Sequence, residues 1–250
     1  MKHTFILFGR QMRHFLRSPD TIITATVIPV GMMLLFVYVF GGAMKTSIGA
    51  GVSYVNYQLP GILLMAISSG ISYTAVRLFT DIQKGMFARL RSMSIAKAAI
   101  LWSNVLTTLV SGAISVIVIV LVALVMGFRS SAGLLAWLAA AGLLLLFTLA
   151  LSWLAIIPGL TAKSVEGSYT FSYPLMFLPF LSSAFVPTAT MPAALRMFAE
   201  HQPVTSIVEA VRGLLNGQPA EREIWIALAW CVGLAVTAYA LARRIYKRFS

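Results

Sequence analysis

The sequence predicts an all-α integral membrane protein, and three observations predict it. Six stretches contain no Asp, Glu, Lys or Arg: residues 21–44, 59–76, 98–128, 130–162, 167–195 and 224–242. Each reaches or nearly reaches the roughly 20 apolar residues that a helix needs to cross about 30 Å of hydrocarbon. Hydrophobic residues make up 59% of the chain, charged residues only 10%, and mean hydropathy is +0.89. Lipid offers the backbone no hydrogen-bond partners, and a helix closes its bonds within one segment, so the spans are helical. The 250 residues leave room for one transmembrane domain, 1–250. The single cysteine, Cys231, lies in the last span and reads as a small core residue without an intrachain disulfide.

The net charge of +12 is distributed by side rather than by patch. With the amino terminus inside, the inner segments hold Lys2, Arg10, Arg13, Arg17, Arg77, Lys84, Arg89, Arg91, Lys97, Lys163, Arg243, Arg244, Lys247 and Arg248 against Asp20, Asp81 and Glu166. The outer segments hold Lys45, Arg129, Arg196, Arg212 and Arg222 against Glu200, Glu209, Glu221 and Glu223. The inner net is +11 and the outer +1. Lys and Arg gather on cytoplasmic flanks, so both termini are expected inside, which requires an even number of spans. The basic excess reads as topology and attraction to lipid headgroups, not as a nucleic-acid groove.

Residues 1–18 read as an interfacial helix lying on the membrane. Phe5, Phe8, Met12, Phe15 and Leu16 share one face, and Lys2, Arg10, Arg13 and Arg17 another. Ser18-Pro19-Asp20 breaks it and turns the chain into the first span, which is too long for a cleaved signal core and is expected to be retained. The second span begins near Gln58-Leu59-Pro60-Gly61, and its middle is small and hydroxylated at Ser68, Ser69, Gly70 and Ser72. Such residues suit close helix packing or the lining of a substrate path.

Segment 77–97 follows on the inner side. Phe79, Ile82, Met86, Leu90 and Met93 recur at helical spacing, with Arg77, Asp81, Lys84 and Arg91 opposite them. It is either a connector or a rigid charged surface for docking a soluble partner. The third span carries Asn104, Thr107, Thr108, Ser111 and Ser115 on roughly one face, again a helix seam or a pathway wall. The fourth has Trp137 near its outer end and finishes at Pro158-Gly159; Lys163, Ser164 and Glu166 make a short inner turn. The fifth contains Pro174 and Pro179, which imply kinks. Residues 188–223 are too apolar for an ordinary loop. Met191-Pro192 and Pro203 each open a short helix, which suggests an outer hairpin dipping into the membrane. The sixth span ends in an inner anchor of Arg243, Arg244, Lys247 and Arg248.

The sequence holds no nucleotide-binding G-x-x-x-x-G-K-[ST], no G-x-S-x-G, and no His/Cys/Asp/Glu cluster with metal-site spacing. Nor is any ionisable residue visible inside the spans, where proton-coupled carriers keep one. Energy for uphill transport is therefore expected to enter from outside the membrane domain, through segment 77–97.

Two motifs carry a family resemblance. Asp81-Ile82-Gln83-Lys84-Gly85-Met86-Phe87-Ala88-Arg89-Leu90-Arg91-Ser92 matches an inner-loop pattern of acid, glycine and spaced arginines. Leu181–Pro187 with Met191-Pro192, then Phe198–Thr205, matches the segment that closes the fifth span. On these the chain resembles the ABC-2 type permeases, in particular the bacterial exporters of the daunorubicin-resistance type. Ser94 and Gln202 depart from the family's usual Pro and Asn.

The resemblance implies half of an ABC exporter in a bacterial inner membrane, paired with a second permease copy or paralogue. It also implies separate cytoplasmic ATPase subunits that hold Mg-ATP, with no catalytic residue, metal or cofactor in this chain. Segment 77–97 would be the coupling helix, with Asp81, Lys84, Gly85, Arg89 and Arg91 at the ATPase contact. Arg10, Arg13 and Arg17 would belong to the connecting helix. Pro187, Pro192, Glu200 and Pro203 would shape the outer re-entrant segment. Ser68, Ser69, Ser72, Asn104, Thr108 and Ser111 would line a pathway or a helix seam. The apolar spans favour an amphipathic drug, natural product or lipid-like substrate. A glycan exporter and an ATPase-independent transporter are the competing expectations, with a membrane-embedded enzyme using Glu200, His201 and Glu209 behind them.

Overall fold

The computed structural model describes residues 7–13, 19–42, 53–85, 97–218 and 221–249. Residues 7–13 are helical. The chain then forms α1 (Pro19–Leu34), which runs on into a π-helical stretch, Leu35–Phe40. The long helices are α2 (Tyr54–Gln83), α3 (Lys97–Val125) and α4 (Leu134–Thr161). Short pieces follow: α5 (Val165–Tyr169), α6 (Ser172–Phe177) and 3-10 turns at Leu178–Leu181 and Thr188–Thr190. Next come α7 (Ala193–His201), α8 (Pro203–Asn216) and the closing helix α9 (Glu221–Phe249). No strand occurs among the described residues.

Among the described residues, four helical stretches are long and apolar enough to cross a membrane: Tyr54–Gln83, Ala99–Val125, Leu134–Thr161 and Glu221–Lys247. A shorter apolar run, Val27–Phe40, lies where the sequence places its first span. The expected fifth span is not one continuous helix. Pro174 and Pro179 lack the N–H that would continue the ladder, and residues 165–181 split into α5, α6 and a 3-10 turn. Hydroxyls take up part of the interrupted backbone: Ser172 donates to Tyr169 O at 2.6 Å and Ser182 to Pro179 O at 2.6 Å.

The axis of the bundle is α2. Two thirds of its apolar window (67%) is buried, against 17% for α3 and for α9, whose outward faces are apolar. Around α2 pack α1, α3, α4 and α8. The main core joins Leu59, Ile62 and Ile67 to Phe147, Val208 and Cys231. A second cluster sits towards the other end of α2, where Leu78 meets Val105, Trp153, Ile156 and Ala238. Trp153 lies edge-on to Trp102 and Tyr239, with ring centroids 5.1 and 4.7 Å apart.

Local chemistry explains where the helices stop. Gly85, at φ +68°, closes α2 as Lys84 N–H returns to Thr80 O and Gly85 N–H to Ile82 O. Gly217, at φ +64°, ends α8 in the Schellman pattern, with Gln218 N–H reaching Gly213 O at 2.9 Å. Pro203 occupies the first turn of α8, where its missing N–H costs nothing.

Candidate functional site

Polar side chains gather at two levels of the bundle. Towards the C-terminal end of α2, Arg77 turns inward and donates from Nε to Asn104 Oδ1 on α3 at 3.0 Å. A longer bond, at 3.4 Å, runs from Nη2 to Asn104 O. Asn104 in turn donates to Ile100 O at 3.1 Å. One turn earlier on α2, Thr74 and Thr108 hydroxyls meet at 2.6 Å. Thr108 donates to Asn104 O at 2.9 Å, so Thr74 is the donor between the two. Ser111 donates to Thr108 O at 3.1 Å.

Arg77, Thr74, Thr108 and Ser111 border a cavity of about 40 Å³ between α2, α3 and α4, also lined by Gly70, Tyr73, Ser115 and Thr148. At roughly 10–15 Å³ per water on this scale, it holds a few waters or one small substituent, not a whole drug-sized molecule. The lining contains one charged group, Arg77, and no carboxylate.

The remaining hydroxyls on α2 point elsewhere. Ser68 is buried, Ser69 donates to Ala66 O at 3.0 Å, and Ser72 donates to Ser172 Oγ at 2.7 Å, tying α2 to α6. The helical segment 7–13 meets α3 through Gln11, whose Oε1 accepts from Thr107 at 2.9 Å, while Arg10 and Arg13 are exposed.

At the N-terminal end of α2 the organiser is Arg212 of α8. It is 8% exposed, and its guanidinium lies 3.8 Å from the Tyr57 ring centroid. Its Nε donates to Tyr57 O at 3.0 Å, Nη1 to Glu209 Oε1 at 2.7 Å and Nη2 to Ser183 O at 2.7 Å. The fork thus joins α8, α2 and the end of the broken fifth segment. Close by, Gly61 packs so tightly that an added Cβ would lie 2.5 Å from Ala184 Cβ. The C-terminal end of α8 is fastened too: Ser130 donates to Leu215 O, Ser131 to Asn216 O, and Asn56 to Asn216 Oδ1 and Arg129 O.

The description "ABC-2 type transporter" matches residues 2–216. The chain belongs to the ABC-2 type transporter family. It is 29% identical over 242 residues to the daunorubicin resistance ABC transporter permease protein DrrB1 of Streptomyces coeruleorubidus. That alignment covers 95% of this chain and 83% of the relative. It is 26% identical over 251 residues to the probable doxorubicin resistance ABC transporter permease protein DrrC of Mycobacterium tuberculosis, covering 99% of this chain and 89% of the relative. The homology to daunorubicin and doxorubicin resistance permeases therefore runs through the whole transmembrane domain rather than one motif.

In this ABC-2 type chain, residues 77–83 belong to α2 itself, so the segment assigned to coupling starts inside the long helix. Asp81 stands on the last turn of α2, and Lys84 and Gly85 form the turn after it. Arg89 and Arg91, like Arg17 of the interfacial segment, lie outside the described residues. Pro187 precedes the 3-10 turn at Thr188–Thr190, Pro192 precedes α7, and Pro203 begins α8. Each acid or base weighed for an enzyme has a local partner. Glu200 takes the Nε–H of Arg196 at 2.7 Å, His201 Nδ1 lies 2.8 Å from Met197 O, and Glu209 is bound by Arg212.

Two residues gain importance that their sequence context hides. Arg212 reads as the polar side of an amphipathic helix, and i,i+3 spacing to Glu209 was its only signal. Gln202, a small departure from the family pattern, is buried between α7 and α8 and donates to Leu181 O and Leu178 O. It satisfies carbonyls at the end of the broken fifth segment.

Proposed function

We propose that this chain is the six-span permease subunit of an ATP-driven exporter that moves an amphipathic drug, natural product or lipid-like molecule out of the cytoplasm or inner leaflet. The observation that carries this reading is homology along nearly the whole chain to permeases named for resistance to daunorubicin and doxorubicin. The drugs for which those relatives are named support the substrate class, and the apolar outward faces of α3 and α9 agree with it. Val27–Phe40 with its neighbours supplies the first span, and the broken segment 165–181 occupies the place of the fifth. Residues 188–223 form the outer re-entrant segment.

ATP is hydrolysed on a separate cytoplasmic subunit carrying Mg-ATP, in an assembly with a second permease copy or paralogue. The chain sits in the bacterial inner membrane with both termini in the cytoplasm. Force enters through Asp81, Lys84, Gly85, Arg89 and Arg91. Because Asp81 rides on the final turn of α2, displacement of the coupling segment passes directly to the axis of the bundle.

The test is affinity purification of the tagged chain from detergent-solubilised membranes. An ATPase subunit is expected to co-purify, and Arg89→Glu/Arg91→Glu to release it or uncouple hydrolysis from export while membrane insertion is retained. A clean permease preparation lacking any ATPase overturns the reading in favour of an autonomous transporter.

A further inference from the structure

We propose that the cavity bordered by Arg77, Tyr73, Thr108 and Ser111 is a subsite for the anionic group, phosphate or carboxylate, of an amphipathic substrate taken from the inner leaflet. The proposal rests on the exporter reading above and goes beyond it by assigning the substrate's charge and the place where that charge is held.

Depth is the first argument. A 30-residue helix such as α2 is about 45 Å long, the thickness of a bilayer with its headgroup layers. Arg77 lies six residues, about 9 Å, from the inner end, where the headgroup layer meets the hydrocarbon. A substrate whose tail lies among the lipid chains presents its polar group at that level.

The second argument is chemical. The guanidinium donates to a neutral residue, Asn104, and the lining holds no acid; the acid that acts on its charge, Asp81, stands one turn further along α2, outside the lining. Tyr73 and Ser115 bring hydroxyls free to donate to an anionic oxygen, while the protons of Thr74, Thr108 and Ser111 are taken within the seam. Arginine's fork suits phosphate and carboxylate oxygens.

The third is space. The opening of about 40 Å³ matches a headgroup substituent rather than a whole molecule. At Gly70, on the same wall, an added Cβ would meet nothing within 4 Å. The wall is open where a side chain would close it.

The permease–ATPase complex in detergent is titrated with two fluorescent probes that share their acyl chains, a nitrobenzoxadiazole-labelled phosphatidic acid and the matching diacylglycerol. The phosphatidic acid is expected to bind at least tenfold more tightly, since one charge-assisted hydrogen bond corresponds to roughly that factor or more. Arg77→Gln is expected to erase the difference, and Arg77→Lys to keep part of it. Gly70→Leu leaves every polar group in place and fills the cavity on a helix that gains propensity, so it is expected to fold and to weaken the phosphatidic acid at least tenfold. A labelled fatty acid and its methyl ester give the carboxylate arm, with the same order expected.

Equal affinity for the two lipids in the unmodified complex, or a difference unchanged by Arg77→Gln and Gly70→Leu, overturns the proposal. Displacement of the lipid by millimolar inorganic phosphate would identify a free-anion site and overturn the amphiphile assignment. Discrimination by Arg77 without ATP-driven movement of bound probe would support the site and instead sink the exporter reading.

Discussion

Arg212 is the residue on which the packing of α8 turns. Four carbonyl or carboxylate partners and one aromatic face surround its fork, and they come from α8, α2 and the end of the broken fifth segment. Removing it leaves the buried carbonyls of Tyr57 and Ser183 without their donors. Arg212→Ala is expected to cost on the order of 3 kcal/mol, read as a lowered thermal midpoint by size-exclusion chromatography in detergent. Arg212→Lys recovers little, because one ammonium cannot reach three diverging acceptors. Glu209→Gln is the informative contrast. The Glu209 side chain is 37% exposed, so its ion pair is screened and the loss is expected below about 1 kcal/mol. An equal loss in both variants would mean that the ion pair, not the backbone bonds, holds α8.

Among the elements, the broken fifth segment depends on others to satisfy it. Its end is clamped from one side by Arg212 and from the other by Gln202, whose amide reaches Leu181 O and Leu178 O. Gln202→Ala is expected to destabilise by about 1–2 kcal/mol and to raise protease cleavage near residues 178–187, because buried carbonyls lose a donor. Unchanged protection there would show that water replaces the amide without cost.

The contact of α2 with this segment is equally local. Gly61→Ala gains roughly 1 kcal/mol of helix propensity but forces two Cβ atoms to 2.5 Å. Neither atom can rotate away, so the clash wins, and a net loss of about 1–3 kcal/mol is expected in the same melting measurement. A stabilised Gly61→Ala would mean that residues 182–185 yield easily.

For the whole molecule, the arrangement follows from α2 being covered while α3 and α9 are not. A helix enclosed by its own chain can carry Arg77, buried hydroxyls such as Ser68 and Thr74, and glycines, whereas the outward faces of α3 and α9 are built from side chains such as Ile117, Leu121, Val236 and Leu241. Orientation is tested by single-cysteine labelling in a Cys231→Ala background. Lys84→Cys is expected to resist a membrane-impermeant maleimide in intact cells and to react after permeabilisation, while Arg196→Cys reacts in both. The opposite pattern would invert the topology and remove Arg77 from the inner leaflet.

Membrane helices announce themselves in sequence because each must satisfy lipid along its own length, so charge-free stretches marked α2, α3, α4 and α9. Proline acts through its own backbone, and so Pro192 and Pro203 were also readable as the starts of α7 and α8, whereas the left-handed turns at Gly85 and Gly217 were not. The polar faces of α2 and α3 were readable as periodicity, but not which hydroxyl would meet which. Only the tertiary structure decided that Arg77 faces Asn104 instead of a soluble partner, that residues 165–181 break into pieces, and that Arg212 and Gln202 repair the break. Those outcomes depend on partners 21 to 155 residues away in the chain. Local sequence sets what a segment must hide from lipid; the packing of distant helices sets which polar group answers which.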